Sequence, residues 1–117
     1  MPDGRQITIG NERFRCAEAL FRPSELGHTS DGVHKRCFDS IIRSHSEEFV
    51  RNDLFSNIIL TGGSTLFEGM AERMQHEMNK LAGTLQEKVR HAKVMAPPER
   101  LYSVWLGGSI LASLSTF

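Results

Sequence analysis

Cysteine is scarce. The two present, Cys16 and Cys37, stand far apart with no Cys-x-x-Cys pair, so neither a zinc knuckle nor a disulfide framework is encoded. Both are expected as reduced, partly buried thiols. Net charge is absent as well: 14 Lys and Arg offset 14 Asp and Glu. That removes the long-range field of a dedicated nucleic-acid or anionic-lipid binder. No apolar run approaches a membrane span, and Met1-Pro2-Asp3-Gly4 has neither a basic nor an apolar leader, so a soluble, intracellular chain is expected. Phosphate-loop, serine-hydrolase-elbow and Asn-x-Ser/Thr patterns are missing. His76-Glu77 lacks the second histidine of a zincin helix, and the five histidines are expected at the surface. What remains, 39% hydrophobic and 24% charged over 117 residues, suits one folded domain rather than a disordered segment.

Local patterns then divide the chain. Pro2-Asp3-Gly4 is a turn signal, and Ile7 and Ile9 alternate with polar residues as in the second strand of a hairpin. The first strand has no counterpart, which predicts a truncated chain whose Ile7–Gly10 strand joins a small sheet. Helices are expected over Glu12–Leu20, with Phe14, Ala17 and Leu20 on one face, and over Val33–Ser44, with Val33, Cys37, Phe38, Ile41 and Ile42 inward. A short helix over Glu47–Leu54 is expected to turn Phe49, Val50 and Leu54 to the core. Lys93–Met95 reads as a strand, and Pro97-Pro98 as a rigid corner. From Tyr102 to Phe117 a helix-like run is apolar nearly all round and contains Gly107-Gly108. Such a helix wants cover on every side.

The most informative stretch is Ile58-Ile59-Leu60-Thr61-Gly62-Gly63-Ser64-Thr65-Leu66-Phe67-Glu68-Gly69. Its continuous apolar start predicts a strand covered on both faces. A helix is expected directly after the glycines, with Leu66, Met70, Met74, Met78 and Leu81 in one stripe, a Thr65–Glu68 capping box and Gly83 at its end. Strand, double glycine and helix start form a layout that contacts nucleotides in α/β folds. The same layout also serves as a plain tight turn, with glycines needed only for space. In the nucleotide reading, Leu66 and Phe67 lie against a flat base, and nothing in the motif supplies hydrolysis.

Leu60-Thr61-Gly62-Gly63-Ser64-Thr65-Leu66-Phe67 resembles the adenosine-side motif of the actin superfamily. The flanks narrow the likeness to actin itself: Ile7-Thr8-Ile9-Gly10-Asn11-Glu12-Arg13-Phe14-Arg15-Cys16, Ala96-Pro97-Pro98-Glu99-Arg100, and Tyr102-Ser103-Val104-Trp105-Leu106-Gly107-Gly108-Ser109-Ile110-Leu111 through Phe117. The resemblance runs along the whole chain. It implies an α/β, ribonuclease H-like ATPase fold, present here as one partial actin-like domain (residues 1–117) from the larger actin domain, with a small mixed sheet and surrounding helices. It also implies a cytoplasmic, cytoskeletal protein that binds ATP or ADP with Mg and whose partners are other actin-family subunits and actin-binding proteins.

Carried over position by position, Gly63, Ser64, Leu66 and Phe67 line the adenine and ribose side of the cleft. Gly62 opens the approach, and Leu101, where actin has a lysine, borders the base. Leu106, Ile110, Leu111, Leu114 and Thr116 match a groove for partner helices and neighbouring subunits. The family's phosphate hairpins, metal-coordinating carboxylate and water-positioning glutamine match nothing in these residues, so the chain by itself is not expected to hydrolyse ATP. There are departures from actin, so the resemblance is to a divergent actin or an actin-related protein. Ser24-Glu25-Leu26-Gly27-His28-Thr29 replaces an apolar filament loop, Phe67 and Glu68 replace a tyrosine and a proline, and Ser44–Val50 and Thr84–Ala92 look longer. An actin-like interaction protein, an inactive actin fragment and a piece of a sugar-kinase-like enzyme are the three readings the sequence leaves.

Overall fold

A computed structural model of the chain describes residues 1–44, 47–85 and 91–117. His45 and residues 86–90 of the expected insertion lie outside the described residues. The helices are α1 (Glu12–Glu18), α2 (Val33–Ser44), α3 (Glu48–Phe55), α4 (Met70–Ala82) and α5 (Ser103–Ser113). Short 3-10 turns occupy Pro23–Leu26 and Gly63–Leu66. Strands β1 (Ile58–Ile59) and β2 (Val94–Met95) pair in parallel, Ile58 opposite Val94 and Ile59 opposite Met95.

The core lies between α2, α3, α4 and this small sheet. Methionines four residues apart put Met70, Met74 and Met78 on one stripe of α4, and all three are buried with Ala82. Burial of each such side chain stabilises by roughly 1.5–3 kcal/mol. Phe38 and Ile41 of α2 meet them, with Phe21, Phe55, Ile58, Leu60 and Ala92 completing the cluster. The Phe38 and Phe55 rings sit 6.0 Å apart and tilted, within the range of favourable aromatic pairs.

Polar side chains of α4 also complete the sheet edge. Gln75 Oε1 accepts from the Val94 amide at 2.8 Å, Gln75 Nε2 donates to the Ala92 carbonyl, and Asn79 Oδ1 accepts from the Ala92 amide at 2.8 Å. These bonds satisfy backbone groups that a two-stranded sheet leaves open. Gly32 explains how the Leu20–Phe21 segment after α1 approaches the start of α2: a Cβ there would collide with the Phe21 carbonyl, and the Val33 amide donates to the Leu20 carbonyl at 2.9 Å.

Several expectations are corrected. Gly4 closes the predicted turn by donating to Met1, but Ile7–Gly10 forms no strand and Ile7 and Ile9 are exposed, so the sheet has two strands among the described residues. Ile59 is 61% exposed, so β1 is covered on one face only. In α3 the inward residue is Phe55, fully buried, while Phe49 and Leu54 face solvent. Phe14 of α1 is exposed as well. The capping box does not form: α4 starts at Met70 after Gly69, whose φ of 76° is a left-handed conformation that suits glycine. No helix among the described residues is long and apolar enough to cross a membrane.

The radius of gyration is 18.0 Å, against about 13 Å for a compact chain of this length. Two regions account for the expansion, the exposed first ten residues and α5 with its tail, neither of which buries a residue.

Candidate functional site

The double glycine lies where β1 leaves the sheet. Gly62 takes φ 93° and ψ 158°, a conformation open to glycine and strained for other residues, and a Cβ there would meet nothing within 4 Å. The chain then turns through Gly63–Leu66. Among the described residues, the Gly63 and Ser64 amides, first in this turn, have no backbone or capping side-chain partner. Leu66 and Phe67 follow with about two-fifths of their surface exposed.

A second segment, 39 residues later in the chain, closes on this turn. The Gly62 amide donates to the Arg100 carbonyl at 3.0 Å, and Thr61 Oγ1 donates to the same carbonyl at 3.1 Å. This brings the next residue alongside: a Cβ placed on Gly63 would stand 3.4 Å from Leu101 Cδ1. Of the expected residues, Gly63 thus meets Leu101 here beside Gly62, and Ser64, Leu66 and Phe67 continue the same stretch of chain. Phe67 lines a groove of about 380 Å³ with Arg13, Phe14, Glu18, Phe21 and Arg73.

Behind that groove the charges are paired. Arg73 donates to both Glu18 oxygens at 2.7 and 2.9 Å and to Glu77 at 3.0 Å, with its guanidinium 4.7 Å from the Phe21 ring centre. The Arg73 fork holds the Glu18 carboxyl below the usual carboxylate range, and its own pKa rises in return. Burial lowers the His34 pKa and raises that of Cys37. Cys37 is half-buried, as expected of it, whereas Cys16 is exposed. No three His, Cys, Asp or Glu side chains converge on a metal-sized site among the described residues.

A profile of the Actin family matches residues 1–117, the full length of the sequence. This chain belongs to the actin family. An actin-like protein of Neurospora crassa is 50% identical over 117 residues, covering all of this chain and 29% of that relative. The chain therefore spans less than a third of the length of the actin-like protein it matches. Its helices and small parallel sheet are a part of the α/β actin fold.

Within that actin framework, Leu106, Ile110 and Leu111 lie on α5, and Leu114 and Thr116 just beyond it. Ile110, Leu111 and Leu114 are each about half exposed or more, and Leu106 borders a hollow with Tyr102 and Trp105. Sequence reasoning missed Thr65 and Arg100. Thr65 was expected to cap α4, but its hydroxyl donates instead to the Gly62 carbonyl at 2.6 Å. Arg100 gave no sequence signal beyond its place in the Ala96–Arg100 stretch.

Proposed function

We propose that this chain supplies the adenosine side of an ATP- or ADP-binding cleft in a cytoskeletal, cytoplasmic actin-like protein. The observation that carries the reading is the meeting of the Gly62–Leu66 turn with Leu101 across the Arg100 carbonyl. Gly62 leaves the main chain open to close approach, and the free amides of Gly63 and Ser64 offer donors to a ribose or ring nitrogen. Leu66, Phe67 and Leu101 give apolar surface for a purine face. These residues fit a nucleoside. Bound ATP with Mg brings the phosphoanhydride of the family's hydrolytic chemistry, and this chain's part is to hold and orient the base and sugar. With few polar contacts to phosphate, affinity is expected to be weak, with a Kd on the order of 1 mM.

Titration of the isotope-labelled chain with ADP is expected to shift the amide resonances of Gly62–Phe67 and Leu101. Gly63→Asp should abolish those shifts. Shifts elsewhere, or none at millimolar ADP, refute the reading.

The exposed face of α5 supports a second role within the same reading, docking of actin-family subunits or amphipathic partner helices. Co-sedimentation with actin filaments that is lost in Leu111→Asp is the expected outcome; a well-folded chain that stays in the supernatant counts against it.

A further inference from the structure

The Gly62 turn is closed by a ring of hydrogen bonds through a side chain outside the nucleotide motif. The Gly62 amide donates to the Arg100 carbonyl at 3.0 Å. The Gly62 carbonyl accepts from the Thr65 amide at 3.1 Å and from Thr65 Oγ1 at 2.6 Å. The Thr65 carbonyl, in turn, accepts from Arg100 Nε at 3.2 Å and Nη2 at 3.1 Å. Arg100 is itself fixed from the other side: its amide and its Nη1 both donate to the Pro97 carbonyl at 3.1 Å. Pro97-Pro98 has fixed φ angles, so the anchor is stiff before any ligand arrives.

We infer that Arg100 is a positioning residue for the nucleoside-contacting turn, setting the spacing between Gly63 and Leu101 through Thr65. This rests on the adenosine-side reading above. The guanidinium is suited to the task because its planar fork reaches the Thr65 and Pro97 carbonyls at once. An ammonium at the same place is a single point donor centre without that fork. The geometry also assigns Thr65 a part: its hydroxyl ties the Gly62 carbonyl to the residue that Arg100 holds. A turn held this way loses little freedom when a weak ligand binds, which is where pre-organisation raises affinity.

The test compares Arg100→Gln, Arg100→Lys and Thr65→Val with the parent chain, using ADP titration and amide hydrogen exchange. Arg100→Gln is expected to weaken ADP binding about tenfold, the scale of one lost hydrogen bond to a charged donor. Arg100→Lys should recover part of the loss. In Arg100→Gln the Gly62 and Thr65 amides should exchange at least about tenfold faster, while those in the last turns of α4 stay as protected as before. Unchanged ADP affinity in Arg100→Gln overturns the inference.

If the parent chain does not bind ADP at all, the adenosine-side reading fails, and exchange alone decides the ring. Selective loss of protection at Gly62 and Thr65 upholds it, and equal protection overturns it. Should Arg100→Gln not fold, Thr65→Val, which removes one bond and no charge, carries the same two outcomes.

Discussion

Helices α4 and α5 are both rich in apolar residues, yet they have opposite fates. In α4 the apolar residues fall on one stripe and Met70, Met74, Met78 and Ala82 are buried, while Arg73, Gln75 and Asn79 bond to neighbouring segments from the flanks. Helix α5 is the more apolar of the two, and none of its residues is buried. Val104 is 81% exposed and Trp105 72%. Apolar content decides that a helix seeks cover, whereas periodicity decides whether one neighbour suffices. A one-sided stripe is satisfied by α2 and the sheet; an all-round apolar surface calls for more than this chain brings to it.

The largest effect that sharpens this contrast is expected on the α4 side. Met78→Ala removes a fully buried side chain, and urea unfolding should show a loss of about 2–5 kcal/mol. A loss under about 1 kcal/mol would mean that the methionine stripe is not the core. Next comes Gly32→Ala, whose added methyl meets the Phe21 carbonyl and should cost about 1–3 kcal/mol by forcing the Leu20–Phe21 segment away from α2. A neutral result would show that the two segments are not in that contact.

The Glu18–Arg73 pair joins α1 to α4 and is partly exposed, so its contribution is about 1 kcal/mol after solvent screening. Its pH dependence has a definite sign. Because the Arg73 hydrogen bonds lower the folded-state pKa of Glu18, the stabilisation is fully present above the unfolded value near 4.5 and is lost as pH falls through the lower folded value. Glu18→Gln should therefore be less stable than the parent at neutral pH, and the gap should close in acid. A gap that stays constant with pH contradicts the ion pair.

The smallest stability effect is expected on α5: Trp105→Ser should change stability by no more than about 0.5 kcal/mol while lowering the binding of a hydrophobic dye. A loss of several kcal/mol would show that α5 belongs to the core after all.

Elements with strong periodicity were legible from sequence. The inward faces of α2 and α4, the all-round apolar character of α5, the turn at Gly4 and the β2 strand all follow from spacing and turn residues. Short elements were not. A helix of about two turns around Phe49, Val50, Leu54 and Phe55 is too short for its periodicity to fix one inward face, and tertiary packing chose the one that buries Phe55. Ile7–Gly10 alternates like a strand, but a strand forms only where a partner offers hydrogen bonds.

At the candidate site, the glycines were readable because their residue type is restrictive, whereas Leu101 was reached only through the resemblance to actin. The ring through Thr65 and Arg100 was not readable, since it depends on segments 35 residues apart meeting through main-chain carbonyls, which leave no mark on residue type. The capping-box signal at Thr65 also misled: the hydroxyl that fits an N-cap is equally suited to close the turn on Gly62.

The most direct test of the central claim is photolabelling of the chain with 8-azidoadenosine diphosphate, followed by peptide mapping. The account predicts that label attaches to the peptides containing Leu66, Phe67 and Leu101, is competed by ADP, and is lost in Gly63→Asp. Label that instead falls on the exposed face of α2 or on the α1 residues Arg13 and Phe14, or that ADP does not compete, would contradict it.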